Sequence, residues 1–346
     1  MNLSGTVDPS IGGLAELTYL DLSFNEFSGA IPAEIGNCSK LVVLNLNDNN
    51  FQGTIPPELG KLAMLSTLNL YNNKLHGAIP DEIGNMASLE DLVGYSNNLS
   101  GSIPRSIGRL KNLKTVRLSQ NAISGNIPVE IGECLNLVVF GLAENNLGGS
   151  LPKEIGKLSL MTDLILWGNK LSGVIPPEIG NCTNLTIIAL YNNSLVGPIP
   201  ATIGNIKSLR RLYLYTNSLS GTIPLEIRNL SLAEEIDFSE NFLIGEIPKE
   251  LGNIPGLHLL FLFENQLTGF IPTTIGNLSL AENIDFSKNF LIGGIPKELG
   301  NILGLRLLYL FRNQLTGFIP TELCALRNLS WLDLSFNSLG GPNPGH

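Results

Sequence analysis

The sequence predicts a solenoid of stacked 24-residue coils, each of which contributes one short strand to a parallel β-sheet. Three observations predict this architecture. Asn recurs every 24 residues from Asn25 to Asn337 without an insertion, Pro recurs with the same period from Pro32 to Pro320, and Gly recurs from Gly29 to Gly317. A constant period over nearly the whole chain of 346 residues indicates a repeat architecture, because a solenoid grows without splitting into separate globular cores.

The strand of each coil is predicted by alternating residues. Leu44 and Leu46, for example, alternate with polar neighbours shortly before Asn49. Alternation places both leucines on one face of a strand, and only neighbouring coils can bury them. We therefore expect one right-handed solenoid over residues 1–346, with about 13 full repeats, partial terminal repeats and a concave parallel sheet. The Asn of each repeat is expected to bond the backbone of its own turn and of the next coil.

The repeat also resembles that of a known family. The unit Leu41-x-x-Leu44-x-Leu46-x-x-Asn49 continues as Phe51-x-Gly53-x-Ile55-Pro56, and residues 171–182 read Leu-Ser-Gly-Val-Ile-Pro-Pro-Glu-Ile-Gly-Asn-Cys. This pattern resembles the plant class of leucine-rich repeats, and the whole chain resembles the ectodomain of plant leucine-rich-repeat receptor-like kinases.

The resemblance implies an α/β-type, superhelical leucine-rich-repeat solenoid with an extra short strand after each Asn turn. It also implies a location outside the cell or at the plasma membrane, a peptide or protein ligand, and a co-receptor leucine-rich-repeat protein as a further partner. Met1 occupies the Asn position of the repeat, and Asn343 stands where Ile precedes Pro elsewhere. We therefore expect a chain that is truncated at both ends relative to the family, without signal peptide, cysteine caps or kinase.

Composition excludes several classes of partner. The formal net charge is −9, which argues against binding to nucleic acid or to an anionic membrane surface. The sequence has no apolar run of about 18 residues, so membrane insertion by this chain is not expected. The three His residues, at 76, 258 and 346, lie in distant repeats and predict neither a metal site nor a catalytic triad. We expect no cofactor and no enzymatic activity.

Residues 229–276 and 277–324 form a younger tandem repeat of two coils. Most positions are identical, but Glu235, Glu240, Glu246, His258 and Glu264 are replaced 48 residues later. The replacing residues are Asn283, Lys288, Gly294, Arg306 and Arg312. This pattern fits either duplication followed by drift or a second copy that has acquired a different binding surface.

Cysteines and glycosylation sequons complete the inventory. Cys38, Cys134 and Cys182 share one repeat position, and Cys324 lies elsewhere in its coil. Because two coils separate the closest pair by about 10 Å, which is too far for a disulfide, we expect four unpaired thiols. Five Asn-x-Ser/Thr sequons are candidate glycosylation sites: Asn98, Asn181, Asn192, Asn229 and Asn277.

Positions six, four and two before each repeat Asn are expected to face the concave side, where equal offsets form columns. Aromatic residues are frequent two and four positions before the Asn, with Arg nearby, and such patches favour recognition. The candidate ligand-binding residues are Trp167, Tyr191, Tyr213, Tyr215, Phe261, Phe263, Arg306, Tyr309, Phe311 and Arg312. A stiffening stack of aromatics is the alternative interpretation of these columns.

The favoured function is therefore a non-catalytic binding scaffold for a peptide or protein ligand. Two alternatives are a secreted defence protein that inhibits a cell-wall-degrading enzyme and a binder of carbohydrate or ice. The acidic composition disfavours the inhibitor, and the variable outer positions disfavour the surface binder, which needs a flat and regular face.

Overall fold

The computed structural model describes residues 3–341. The chain divides into two compact units, Met1–Ser172 and Gly173–His346, which are called unit one and unit two below. Met1, Asn343 and His346, which entered the sequence analysis, lie outside the described residues. The expectation that the whole chain forms one solenoid stays a prediction.

The main strand of each coil is three residues long and pairs in parallel with the strand 24 residues away. In unit one these strands are Tyr19–Asp21, Val43–Asn45, Thr67–Asn69, Asp91–Val93, Thr115–Arg117, Val139–Gly141 and Asp163–Ile165. In unit two they are Ile187–Ala189, Arg211–Tyr213, Glu235–Asp237, Leu259–Phe261, Asn283–Asp285, Leu307–Tyr309 and Trp331–Asp333.

A second short strand follows each Asn turn, as the family resemblance implied. In unit one these strands are Ser4–Gly5, Glu26–Gly29, Asn50–Gly53, Lys74–Ala78, Asn98–Ser100, Ser124–Asn126 and Asn146–Gly148. Ser172–Gly173 contains the last residue of unit one and the first of unit two. In unit two they are Ser194–Gly197, Ser218–Gly221, Phe242–Glu246, Gln266–Thr268, Ile292–Gly293, Gln314–Gly317 and Ser338–Leu339.

Each coil returns through a 3₁₀ helix of five residues that begins directly after the repeat Pro. In unit one the helices are Pro9–Gly13, Ala33–Asn37, Pro57–Lys61, Asp81–Asn85, Arg105–Arg109, Val129–Glu133 and Lys153–Lys157. In unit two they are Pro177–Asn181, Ala201–Asn205, Leu225–Asn229, Lys249–Asn253, Thr273–Asn277, Lys297–Asn301 and Thr321–Ala325. Helical turns this short are typically 3₁₀, and the residues that the structure describes contain no α-helix.

The core lies inside the coils, between the main strands and the 3₁₀ helices. Ile236, at the centre of the strand Glu235–Asp237, is fully buried, as are Leu260 and Ile284 on the next two strands. The residues on either side of each central position point away from this core, because side chains alternate along a strand. The predicted fold class, a leucine-rich-repeat solenoid with a parallel sheet, is confirmed.

The 14 Asn residues from Asn25 to Asn337, the ladder asparagines, satisfy the backbone at each bend. In Asn241, Nδ2 donates to the carbonyl oxygens of Phe238 at 3.2 Å, Ser239 at 3.0 Å and Leu214 at 3.0 Å. Its Oδ1 accepts from the backbone N–H of Leu219 at 2.9 Å. The sequence analysis expected contacts with the next coil; this was wrong, since Leu214 and Leu219 belong to the preceding one. The side chain leans backwards along the stack because it completes a turn that has already been laid down.

A glycine near the end of most 3₁₀ helices allows neighbouring coils to touch. A Cβ added at Gly204 would lie 2.4 Å from the carbonyl oxygen of Glu226, and one at Gly252 would lie 2.1 Å from that of Thr274. Arg228 occupies this position in the helix Leu225–Asn229, so the next helix has to move aside. Consistently, ψ of its capping residue Ile254 is 98°, compared with 64° at Leu230.

A groove of about 1040 Å³ lies beside the first residues of these two helices in unit two. Pro224, Leu225, Pro248 and Phe270 form part of its wall, together with Glu226. Leu225 and Phe270 are exposed. We attribute the groove to the Arg228 side chain, which stands where glycine elsewhere permits close contact.

The cysteines follow the sequence prediction. Cys38, Cys134 and Cys182 are buried, Cys324 is exposed, and all four are unpaired. The Cys134 thiol donates to the carbonyl oxygen of Ile107 at 3.2 Å, and burial raises the pKa of this thiol to about 11. The three buried cysteines therefore act as small core residues with low reactivity.

Candidate functional site

The candidate site lies on the sheet face of unit two, defined here by the residues six, four and two positions before each ladder asparagine. Of the ten predicted ligand-binding residues, Trp167 belongs to unit one and the others to unit two. The strands are in register, so that Tyr213 pairs with Asp237, Asp237 with Phe261, Phe261 with Asp285, and Asp285 with Tyr309. Equal offsets therefore form columns, as predicted from the repeat.

The aromatic columns are interrupted. Tyr191 and Tyr215 stack with ring centroids 4.3 Å apart, and Tyr191 meets Tyr213 edge-on at 6.4 Å. Farther along, Phe261 and Phe263 pair within one strand segment at 6.1 Å. Tyr309 and Phe311 form another such pair, at 6.0 Å. The sequence analysis described continuous columns. The structure instead separates the aromatic pairs by coils that carry Asp and Ser at the same positions, so a continuous stiffening stack is wrong for this part of the chain.

The sequence analysis treated Asp237 only as a flanking charge and missed its relation to the aromatics. Asp237 and Ser239 lie four and two positions before Asn241, and Asp285 and Ser287 hold the same places before Asn289. These four side chains are buried. The signal was present in the order of the columns, where aromatic pairs and Asp-x-Ser alternate with a period of 48 residues.

Tyrosine hydroxyls at one end of the face are tied to acidic neighbours. The Tyr213 hydroxyl donates a hydrogen bond to the Glu235 carboxylate. Burial, followed by this hydrogen bond, raises the pKa of Tyr213 well above its ordinary value. Burial and the neighbouring Tyr191 do the same for the pKa of Tyr215. Both phenols therefore remain neutral at ordinary pH, and they present half-buried rings to solvent.

The two predicted arginines have partners within the chain. The Arg306 guanidinium lies 3.4 Å from the Glu282 carboxylate. The Arg312 guanidinium sits over the Phe336 ring, 5.2 Å from its centroid, and its backbone has a φ of 53°. The left-handed backbone conformation at Arg312 turns this side chain away from the strand direction. A ligand would have to compete with these contacts to engage either residue.

The five candidate glycosylation residues, Asn98, Asn181, Asn192, Asn229 and Asn277, are all exposed, and their modification stays a prediction. Among residues 3–341, no group of three or more His, Cys, Asp or Glu could hold a metal ion. Over the same range, no helix is both long and apolar enough for a membrane span.

Comparison with known proteins identifies the family. A model described as a leucine-rich repeat region matches residues 9–136, and a leucine-rich-repeat model matches residues 161–182, 208–230 and 304–326. A solved structure of the Arabidopsis receptor kinase HAESA with the peptide hormone IDA and the co-receptor SERK1 is 32% identical; the match covers 98% of this chain and 69% of that one, with a TM-score of 0.72. The chain belongs to the leucine-rich-repeat family.

Further structures are similar over almost all of this leucine-rich-repeat chain. A TDR receptor is 29% identical over 99% of this chain and 68% of its own, with a TM-score of 0.85. The HAESA ectodomain with an N-terminally extended IDA peptide is 35% identical over 98% of this chain, with a TM-score of 0.84. The match spans only 61% of that ectodomain. No match is found among curated protein sequences. The predicted resemblance to plant receptor kinase ectodomains is confirmed.

Proposed function

We propose that this chain is a non-catalytic scaffold that binds an extended peptide along the sheet face of unit two. The observation that carries the proposal is the set of half-buried aromatic pairs on a rigid parallel sheet, Tyr213 with Tyr215, Phe261 with Phe263 and Tyr309 with Phe311. Rigid aromatic anchors typically dominate binding energy at interfaces. Support comes from the HAESA structures, whose chains bind a peptide hormone.

The same comparison supports an extracellular setting and a co-receptor as a second partner, because SERK1 is described as the co-receptor in one HAESA complex. The proposal is restricted to unit two, where nine of the ten predicted residues lie. Arg306 and Arg312 border the face, and a ligand carboxylate would engage them only by displacing Glu282 or the Phe336 ring.

The test is a screen of a random peptide library against the chain, followed by affinity measurement with the variant Tyr215→Ala/Phe263→Ala. We expect recovered peptides to bind the variant roughly 30-fold or more weakly, since truncation of an anchor typically costs about 2 kcal/mol. The matched control is Tyr71→Ala/Tyr95→Ala, which removes a stacked pair from unit one. Peptides that bind the first variant as tightly as wild type would refute the proposed site.

A further inference from the structure

Two buried carboxylates on the sheet face have an unused acceptor oxygen. Asp237 is 9% and Asp285 is 8% exposed. In each, Oδ1 accepts from the backbone N–H and hydroxyl of the serine two residues later, Ser239 or Ser287. Oδ2 of neither carboxylate has a hydrogen-bond partner among the described residues, and neither residue forms an ion pair there. Burial of a charge without full compensation is costly.

The nearest cationic influence on Asp285 is Lys288, but its ammonium lies 2.8 Å from the Glu264 carboxylate instead. Near Asp237, Arg211 Nε is 3.6 Å from Glu235. The chain's own cations are therefore engaged with other carboxylates.

A comparison within the chain shows that the free oxygen is not a property of the Asp-x-Ser segment itself. Asp21 and Ser23 form the same bonds through Oδ1. The second oxygen of Asp21, however, accepts from the Tyr19 hydroxyl and from Asn45 Nδ2, each at 3.0 Å. These donors hold the pKa of Asp21 down at about 2, despite an opposing effect of burial. The residue on the adjacent strand makes the difference, since Asn45 supplies a donor and Phe261 does not.

Aromatic rings flank each of the two carboxylates. Asp237 lies in register between Tyr213 and Phe261, and Asp285 lies between Phe261 and Tyr309. A cavity floor that accepts hydrogen bonds and carries negative charge, with aromatic walls, favours an ammonium or a guanidinium group. Such a group would form a charge-assisted hydrogen bond with Oδ2 and cation–π contacts with the walls.

The spacing of the two carboxylates indicates the conformation of the ligand. Two strand separations of about 4.8 Å place Asp237 and Asp285 about 9.6 Å apart along the face. A polyproline II helix advances about 3.1 Å per residue with three residues per turn, so side chains at i and i+3 point the same way about 9.3 Å apart. An extended strand places same-side residues only about 6.7 Å apart.

We infer that unit two binds a polyproline II segment that carries Lys or Arg at positions i and i+3, with one cation at Asp237 and the other at Asp285. Phe261 is the wall shared by both cations. The inference rests on the proposed function and specifies the ligand class of that site. The chain's net charge of −9 also favours approach of a basic segment.

The probe is a synthetic, terminally blocked peptide of three Pro-Pro-Lys repeats, titrated into the whole 346-residue chain by calorimetry. Control peptides contain three Pro-Pro-Glu repeats, or Pro-Lys repeats with the same number of Lys residues. We expect saturable binding of the first peptide alone, because only that peptide combines positive charge with the matching spacing.

The test variant is Asp237→Asn/Asp285→Asn, which preserves the bonds of Oδ1 to serine. The matched control, Asp21→Asn/Asp91→Asn, removes the same charge from unit one. Bacterial expression keeps the new Asn-x-Ser sequons unmodified. We expect the test variant to bind the probe at least roughly tenfold more weakly and the control variant to bind it like wild type. Each single variant, Asp237→Asn and Asp285→Asn, should lose part of the affinity, which gives a second measurement should the double variant fold poorly.

Three results would overturn the inference: no saturable binding of the Pro-Pro-Lys probe, equal binding of the Pro-Lys peptide, or equal binding by the test variant. The library screen separates this failure from failure of the proposed function. Library peptides that require Tyr215 and Phe263 but bind the test variant normally would leave the proposed function standing without the cation sites.

Discussion

At the scale of single residues, the partner of each side chain on the adjacent strand decides its chemistry. Asp21 and Asp237 occupy the same repeat position with the same serine two residues later. Asn45 beside Asp21 lowers the pKa of that carboxyl, to about 2, whereas burial raises the pKa of Asp237 to about 6. Glu240 and Asp285 add to the increase at Asp237. Two residues of the same type thus have opposite effects on stability as pH changes.

The raised pKa of Asp237 predicts a loss of stability as pH increases. The folded chain binds this proton more tightly than the unfolded chain, in which the carboxyl has a pKa near 3.8. The free energy of unfolding should therefore fall between about pH 4 and pH 6, by up to about 3 kcal/mol from this group, and should then level off. Urea denaturation of wild type and Asp237→Asn across this range measures the effect.

The variant Asp237→Asn should gain stability relative to wild type as pH rises through that interval. Asp21→Asn should show the opposite trend, because its carboxylate is stabilised by the fold and its replacement costs more at higher pH. Parallel pH profiles for wild type and Asp237→Asn would mean that the carboxylate is better hydrated than its burial indicates.

At the scale of elements, close packing of the 3₁₀ helices depends on one glycine per coil. A side chain at Gly252 would overlap the backbone of Thr274, and Arg228 shows what the fold does when glycine is absent. The helix Lys249–Asn253 ends with an altered backbone at Ile254, and a groove lies beside it. The spacing of neighbouring coils is therefore set by a single side chain, locally and without loss of the repeat.

Arg228→Gly should let the two helices approach and close the groove. The new contacts of Leu225 and the helix backbone should offset the greater conformational freedom of glycine, which costs roughly 0.5–1 kcal/mol. We expect slower amide hydrogen exchange in residues 249–254 and a smaller groove in a crystal structure. Gly252→Ala is the reciprocal control and should speed exchange in the helix Thr273–Asn277. Unchanged exchange in Arg228→Gly would show that another residue holds the helices apart.

At the scale of the whole molecule, burial of the leucines depends on a neighbouring coil on each side. Leu14 is 53% exposed, whereas Cys38 and Leu62, at the same place in the next two coils, are fully buried. Leu3 is 55% exposed. A repeat that packs on only one neighbour loses half of its interface energy. These residues form an apolar surface that a further coil would cover.

Fusion of an additional repeat module before Leu3 should raise the melting temperature of the 346-residue chain by roughly 2–4 °C or more, since burial of each leucine contributes about 1.5–3 kcal/mol. Self-association should decrease as well. Differential scanning calorimetry and sedimentation velocity measure the two effects. A module whose packing leucines are replaced by serine is the control, and equal melting temperatures for the two fusions would contradict the explanation.

The sequence by itself determined the coil length, the strand and turn of each repeat, the role of the ladder asparagines at the bends and the columns of the sheet face. These follow from local periodicity, which repeats in every coil. Only the tertiary structure decided that Asn241 reaches back to Leu214, that Oδ2 of Asp237 lacks a donor while that of Asp21 has two, and that Arg228 opens a groove. Each of these depends on distances between side chains of adjacent coils, and those distances are set by packing, which a pattern along one chain does not specify.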